Sequence, residues 1–204
     1  MRTATRAVPT TNSFVFNVGT GLVPVRTHPN TRTAIKAVPT LQINTIMRRK
    51  LAKRKNPRLK DFDYSTPYIY FITTCTINKA AIFTDDLLNH KITDCISSQR
   101  QQFGFKIFCY CLMPNHLHLL LTPFDSGTAV SQFIGAFKSA STRLCWKHGL
   151  TGKVWQNRYY DHILRKNEDI KTVAEYVLHN PVRKGLVEDW RDYKYCGLLD
   201  TIEK

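Results

Sequence analysis

The residues best suited to chemistry are His116 and His118, in the run Met113-Pro114-Asn115-His116-Leu117-His118-Leu119-Leu120-Leu121. Pro114-Asn115 supplies a tight turn, and an apolar strand follows it. Successive side chains of a strand point to opposite faces, so the two histidines share one face and Leu117, Leu119 and Leu121 share the other. Same-face neighbours lie roughly 6.5–7 Å apart along a strand, a spacing at which two imidazoles can converge on one divalent ion. The competing reading is a pair of half-buried histidines that simply find hydrogen-bond partners.

A second candidate pair lies on a helix expected from about Asn167 to His179. Asn167 suits the N-cap, and Glu168 and Asp169 suit the positive end of the dipole. Ile170, Val173, Ala174, Val177 and Leu178 recur at the spacing that buries one face. Tyr176 and Asn180 are four residues apart, on the flank of that stripe. His179 points away from it, to solvent. Pro181 places Asn180 at a frayed helix end. Alone, Tyr176 reads as amphipathic packing and Asn180 as a helix stop. Set beside the histidine strand, the same helix would offer a phenol nucleophile and an amide oxygen to the same ion. Both readings stand at this point.

The elements that must position these groups follow from periodicity. Tyr68 to Ile77 is aromatic and β-branched, a strand. Asp85 to Gln102 reads as a helix through Leu87, Leu88, Ile92, Cys95 and Ile96. Phe105 to Leu112 is a strand, and the histidine strand runs from His116 to about Thr122. Thr128 to His148 is a helix buried through Val130, Phe133, Ile134, Phe137, Ala140 and Leu144. Val154 to Leu164 is the last strand. Strand, helix, strand, strand, helix, strand is the ferredoxin-like split βαβ order, an α+β fold with an antiparallel sheet and helices on one face. The tyrosine helix is an addition after it. Trp190, Tyr193 and Tyr195 are expected to pack back onto the domain at a place the pattern does not define.

The formal charge is +15, and it is unevenly placed. Residues 1–60 hold 13 Lys or Arg and no acid, whereas the remainder holds 17 basic and 15 acidic residues, a net of +2. Three parts are therefore expected: 1–46, 47–63 and 64–204. Residues 1–46 carry a near-repeat, Arg2 to Thr10 against Arg32 to Thr40, and read as poorly packed. An organelle transit peptide and translated upstream DNA before Met47 are the other readings. The arm at 47–63 holds Arg48, Arg49, Lys50, Lys53, Arg54, Lys55, Arg58 and Lys60, candidates for phosphate contacts with a nucleic acid. The six cysteines lack CxxC or zinc-ribbon spacing, which points to small buried hydrophobes in a reducing compartment. No apolar run is long enough to span a membrane.

The histidine–hydrophobe–histidine motif after Met113-Pro114-Asn115 resembles that of the single-tyrosine HUH transposases. Three further stretches sharpen the likeness. They are Arg58-Leu59-Lys60 through Asp63-Tyr64-Ser65 to Tyr70-Phe71-Ile72-Thr73; Trp155-Gln156-Asn157-Arg158 with Tyr160-Asp161-His162; and Tyr176-Val177-Leu178-His179-Asn180-Pro181-Val182-Arg183-Lys184-Gly185-Leu186-Val187. In this order they resemble the REP-associated tyrosine transposases, a bacterial branch of that family. The likeness runs from about residue 54 to 196 and leaves residues 1–46 unmatched.

The resemblance implies a transposase that cuts and rejoins single-stranded DNA. Tyr176 occupies the nucleophile position, leaving a 5′-phosphotyrosine and a free 3′-hydroxyl. His116, His118 and Asn180 occupy the positions that bind a divalent ion, Mg²⁺ or Mn²⁺ by the hardness of the amide oxygen and phosphate. A tyrosine titrates near 10, so a base or the ion must assist it; His162 and His179 are candidates. Arg158, Arg165, Lys166, Arg183 and Lys184 are expected to bind DNA, and Tyr159 and Tyr160 to stack unpaired bases. Trp155 suits the core better than a base. The implied partner is a single-stranded DNA hairpin formed by a palindromic repeat or element end. The implied setting is the bacterial cytoplasm, at the nucleoid, as a monomer or homodimer. Three rivals remain. They are a non-cutting hairpin-binding protein on the same fold, an RNA-binding ferredoxin-like module, and a small metal hydrolase with another substrate.

Overall fold

The computed structural model of the chain describes residues 62–124, 127–165 and 168–201. Aromatic and β-branched Tyr70–Cys75 form β1, and Asp86–Gln102 forms α1. Asp85 caps α1, its carboxylate accepting from the Leu88 amide at 2.8 Å. β2 (Phe105–Met113) turns through Pro114-Asn115 into β3 (His116–Pro123). α2 (Val130–Lys147), β4 (Tyr160–Ile163), α3 (Ile170–Leu178), the single turn α4 (Asn180–Arg183) and β5 (Cys196–Leu198) follow.

The sheet order is β4-β1-β3-β2-β5, with every paired neighbour antiparallel. β3 thus splits the β1–α1–β2 unit, and β1 splits the β3–α2–β4 unit. That is the expected ferredoxin-like arrangement, with one added edge strand. The histidine strand lies at the centre, where pairing on both sides fixes its register and so the face of every side chain.

Period-two alternation divides the core. Tyr70, Ile72, Ile107, Leu117, Leu119 and Leu121 face α1 and α2. Phe71, Cys109, Cys111, Met113 and Leu120 face α3. A register shift between Ile107 and Cys109 turns both Phe108 and Cys109 toward α3, which needs a wide apolar seat. The two helices of the ferredoxin-like unit therefore share one face, as expected, and the added α3 covers the other. The reason is that β3 is apolar in both directions, and its second face would otherwise leave Phe71 and Leu120 in water.

Three sequence expectations are corrected. The strand expected over Val154 to Leu164 is only Tyr160–Ile163, and it is not the last, since β5 follows it. Residues before it cross the end of β1, where Trp155 pairs with Thr76 in an isolated bridge and the Gln156 amide donates to Cys75 O at 2.9 Å. The Trp155 indole enters the core against Phe83 and donates to Ser141 Oγ at 2.9 Å. Lys138 Nζ holds the Gln156 and Arg158 carbonyls at 2.8 and 3.2 Å, out of any ladder. The α3 cap is Asp169 and not Asn167, its carboxylate accepting from the Lys171 and Thr172 amides at 3.2 Å each. Asn167 lies outside the described residues. Finally, Asn180 is not a frayed end. It opens α4, whose first turn tolerates Pro181 because the missing N–H has no helical partner there.

The tail packs along the outer edge of β2. Tyr193 Oη donates to Leu112 O at 2.9 Å, and Leu112 N donates to Tyr195 O at 2.8 Å. Cys196 stands opposite Cys111. All six cysteines are free, and Cys95, Cys109, Cys111 and Cys145 are buried.

Candidate active site

β3 carries both histidines on the face that α3 covers. His116 stands opposite Cys75 and Met113, and His118 opposite Thr73 and Cys111. Their ring centroids are 4.7 Å apart. His118 is 6% exposed and stacks on Phe71 at 5.4 Å. His116 is half-buried. Each ring has its Nδ1 engaged: His118 with Thr73 Oγ1 at 2.8 Å, and His116 with Asn115 Oδ1 at 2.5 Å. Neither Nε2 has a hydrogen-bond partner among the described residues.

Burial disfavours the imidazolium at both positions. It pushes His116 down to about 4, with Lys184 and Lys79 adding like charge. It holds His118 well below the ordinary range, with His116 and Arg183 contributing. Both rings are therefore neutral at pH 7, the state in which a nitrogen lone pair can take a metal.

Tyr176 reaches the same face from α3. Val173, Ala174, Val177 and Leu178 anchor the helix on Phe108, Cys109 and Leu120, leaving Tyr176 on its flank. The Tyr176 ring lies 6.3 Å from that of His118 and 5.9 Å, edge-on, from Phe71. The Arg183 guanidinium covers it at 3.9 Å from the centroid. One Arg183 nitrogen donates to Tyr176 O at 3.0 Å and another to Asn180 Oδ1 at 2.8 Å. The Asn180 amide nitrogen donates back to Tyr176 O at 3.3 Å and Val177 O at 3.4 Å. A cleft of about 260 Å³ opens beside this cluster, between His118 and Tyr176 on one side and Gln156, Arg158 and Tyr160 on the other.

The two unpartnered Nε2 atoms, on rings with centroids 4.7 Å apart, are the imidazole donors that a divalent ion would use. Among the described residues no group of three or more His, Cys, Asp or Glu could hold an ion, and the expected third donor, Asn180, is a neutral amide oxygen. Asn180 is 4% exposed and its amide oxygen has two lone pairs, one of which Arg183 takes. The donor set, two imidazoles and an amide oxygen, leaves positions for phosphate oxygens and water.

The remaining sequence candidates divide. Arg158 and the half-buried Tyr160 line the cleft. Lys184 is exposed near His116. Arg165 is exposed at the far end of α3, its amide donating to Glu168 Oε2 at 2.9 Å. Tyr159 also lines the cleft, but it is only 8% exposed, because the chain turns inward before β4 and its ring packs against the α1–α2 core. His162 Nε2 meets Glu168 at 2.8 Å and His179 Nδ1 meets Glu175 O at 2.9 Å, so one ring nitrogen of each is engaged. Lys166 and the arm residues Arg48, Arg49, Lys50, Lys53, Arg54, Lys55, Arg58 and Lys60 lie outside the described residues.

Sequence reasoning missed the work of Thr73, Asn115 and Arg183. Thr73 gave no signal, since its contact is across strands 45 residues apart. Asn115 was legible only as a turn residue. Arg183 did carry a signal: it stands seven residues after Tyr176, two helical turns on, where it can cover the same face.

Comparison with known proteins bears on this geometry. The family described as "Transposase IS200 like" matches residues 64–180, more than half of the chain and the whole span from β1 to Asn180. The chain belongs to the IS200-like transposase family. Among its relatives is a REP-associated tyrosine transposase of Haemophilus influenzae, 24% identical over 146 residues, covering 66% of this chain and 82% of the relative. Another is the REP-associated tyrosine transposase of Escherichia coli K12, 28% identical over 91 residues, covering 45% of this chain and 53% of the relative. The fold is similar to that of a REP-associated tyrosine transposase solved bound to a REP hairpin, with a TM-score of 0.57 and 23% identity over 68% of this chain and 81% of that one. The IS200-like match ends at Asn180, so the histidine pair, Tyr176 and Asn180 all fall inside it. No helix of the described residues is long and apolar enough to cross a membrane.

Proposed function

We propose that this IS200-like transposase is a metal-dependent single-stranded DNA endonuclease and strand transferase that cuts beside DNA hairpins through Tyr176. The observation that carries the reading is the convergence of Tyr176, from α3, on the neutral histidine pair of β3, with ring centroids 6.3 Å apart beside an open cleft. Both sides of that site come from one chain, so the reading needs no second copy to complete it.

His116 and His118 would hold a divalent ion, Mg²⁺ or Mn²⁺, through Nε2, with Asn180 Oδ1 as the third ligand. When bound, the ion supplies charge stabilisation at the scissile phosphate. Tyr176 Oη attacks phosphorus and gives up its proton to water, the P–O3′ bond breaks, and the leaving oxygen takes a proton from water to become a 3′-hydroxyl, so no net proton is gained or lost. The phosphate stays on the tyrosine as a 5′-phosphotyrosine. One phosphodiester is exchanged for another, so a second 3′-hydroxyl can reverse the step and join a new strand. Arg183 orients the phenol by lying across its ring and gripping the backbone of its helix. Phe71 walls the other side and excludes water from His118. Arg158 and Tyr160, at the cleft, suit a backbone phosphate and an unstacked base.

One observation favours a second reading, a hairpin-binding protein that does not cut. Arg183 already engages Asn180 Oδ1, which places a cation where the third ligand oxygen would meet an ion. Cleavage of labelled hairpin oligonucleotides with Mn²⁺, compared between the wild type and Tyr176→Phe, separates the two. The endonuclease reading expects cleavage in the wild type and retained hairpin binding without cleavage in Tyr176→Phe. Cleavage that survives in Tyr176→Phe refutes it.

A further inference from the structure

Neutral imidazole has one protonated and one lone-pair nitrogen, and a histidine can ligate through Nε2 only if Nδ1 keeps the proton. Something must set that choice. Asn115 sets it for His116. The Asn115 amide nitrogen donates to Lys79 O at 3.3 Å, so its oxygen is the atom turned to His116 Nδ1. An amide oxygen only accepts, and Nδ1 must donate.

The loop after β1 is built to keep Asn115 there. Asn78 and Lys79 both take positive φ, 50° and 55°, a region that non-glycine residues rarely occupy. That turn aims the Lys79 carbonyl at the Asn115 amide. The Thr76 amide donates to Asn115 O at 3.0 Å, and the Phe83 amide to Pro114 O at 2.9 Å. With Thr76 Oγ1, which also donates to Asn115 O at 3.0 Å, four hydrogen bonds from residues 76–83 grip the two-residue turn immediately before His116. Thr73 holds the His118 ring from the neighbouring strand, directly opposite in register, at 2.8 Å. A hydroxyl can donate or accept, so Thr73 follows the tautomer that burial and the ligand prefer, and Asn115 dictates it.

We propose that Asn115, held by the Asn78-Lys79 turn, is a positioning residue that fixes the proton on Nδ1 of His116 and leaves its Nε2 lone pair for the divalent ion, while Thr73 holds the His118 ring in place without choosing its tautomer. The proposal rests on the reading of the two histidines as metal ligands. Partners of this kind outside the coordination shell typically change metal affinity about 10–100-fold when removed.

The test uses the full chain, metal-free and with ¹⁵N-labelled histidine. Long-range ¹H–¹⁵N correlations above pH 7 read the tautomer of each ring. The wild type is expected to show Nδ1–H at His116, and a wild-type His116 in the Nε2–H form overturns the proposal with no variant needed. Mn²⁺ affinity, read by paramagnetic resonance, is expected to fall about 10–100-fold in Asn115→Ala, with His116 moving to a mixture of tautomers. Asn115→Asp, which keeps an acceptor oxygen, should stay within a few-fold of the wild type. Equal losses in both variants, tracking their melting temperatures, would mean a merely structural turn and overturn the proposal. An Nδ1–H tautomer at His116 in a wild-type chain that binds no Mn²⁺ would instead refute the metal reading itself. The two failures are therefore distinguishable.

Discussion

Replacing Arg183 by alanine sets two roles against each other. As a phosphate contact, the role the sequence suggests, Arg183 would matter only with DNA present. In the structure it is also part of the site: it donates to Asn180 Oδ1 at 2.8 Å and to Tyr176 O at 3.0 Å, and covers the Tyr176 ring at 3.9 Å. Alanine leaves the oxygen of Asn180, a residue 4% exposed, without that donor. An unsatisfied buried acceptor costs about 1–3 kcal/mol. Losing the cation over the aromatic face removes a further ~0.5–2 kcal/mol. Neighbouring contributions do not add fully, so a total of about 2–4 kcal/mol is expected. At roughly 3 °C per kcal/mol for a folded region of this size, Tm should drop by about 6–12 °C in a DNA-free calorimetric scan. Arg183→Lys keeps the charge but not the planar fork, and should recover less than half of the loss. A Tm shift under about 2 °C, with weaker hairpin binding and a shallower salt dependence, would refute the clamp and leave only the phosphate contact.

Other outcomes follow from the same structure. Leu119→Ala, at a fully buried position on the central strand, should destabilise by about 2–5 kcal/mol in urea titration without changing the residues that line the cleft. Because His116 is held near 4 when folded and titrates at about 6.5 when unfolded, the unfolded chain takes up the proton first. Metal-free stability should therefore be highest above pH 6.5 and fall as pH drops from 6.5 to about 4, and a flat stability profile over that window would contradict the burial account. His116→Ala or His118→Ala should abolish cleavage while circular dichroism shows the fold intact; unchanged cleavage removes the metal-site claim. Deleting residues 1–46 should leave cleavage intact. Neutralising the basic residues of 47–60 should flatten the salt dependence of hairpin binding, by up to about 0.7 in log–log slope for each phosphate the arm no longer neutralises.

The fold was legible where period and propensity agreed. Tyr70–Cys75, the two long helices and the histidine strand all fall within the expected segments, because each combines a clear repeat with a burial face. The alternation of His116 and His118 against Leu117, Leu119 and Leu121 correctly assigned faces, since a strand's period admits no other division. What failed was decided by tertiary contacts. Trp155 left the strand pattern to fill a hole beside Phe83, which shortened β4. β5 has three residues around Gly197, too short for any periodicity, and forms because the Tyr193 and Tyr195 contacts bring it to the open edge of β2. The helix order left open which face α3 would take. In the site, residue types were readable but orientations were not. No sequence spacing shows that Asn115 meets a strained turn 36 residues away, or that Arg183 lies on Tyr176.

The central claim is a covalent exchange at Tyr176, and end-labelling tests it most directly. Single-stranded hairpins drawn from the DNA flanking the gene, labelled at either the 5′ or the 3′ end, would be incubated with protein and Mn²⁺ and run on a denaturing protein gel. A 5′-phosphotyrosine keeps the downstream fragment on the protein. The account therefore predicts a labelled protein band from the 3′-labelled hairpin only, absent in Tyr176→Phe, and a shortened free fragment from the 5′-labelled one. Cleavage with no protein-linked label, or with the label carried from the 5′ end, would contradict it.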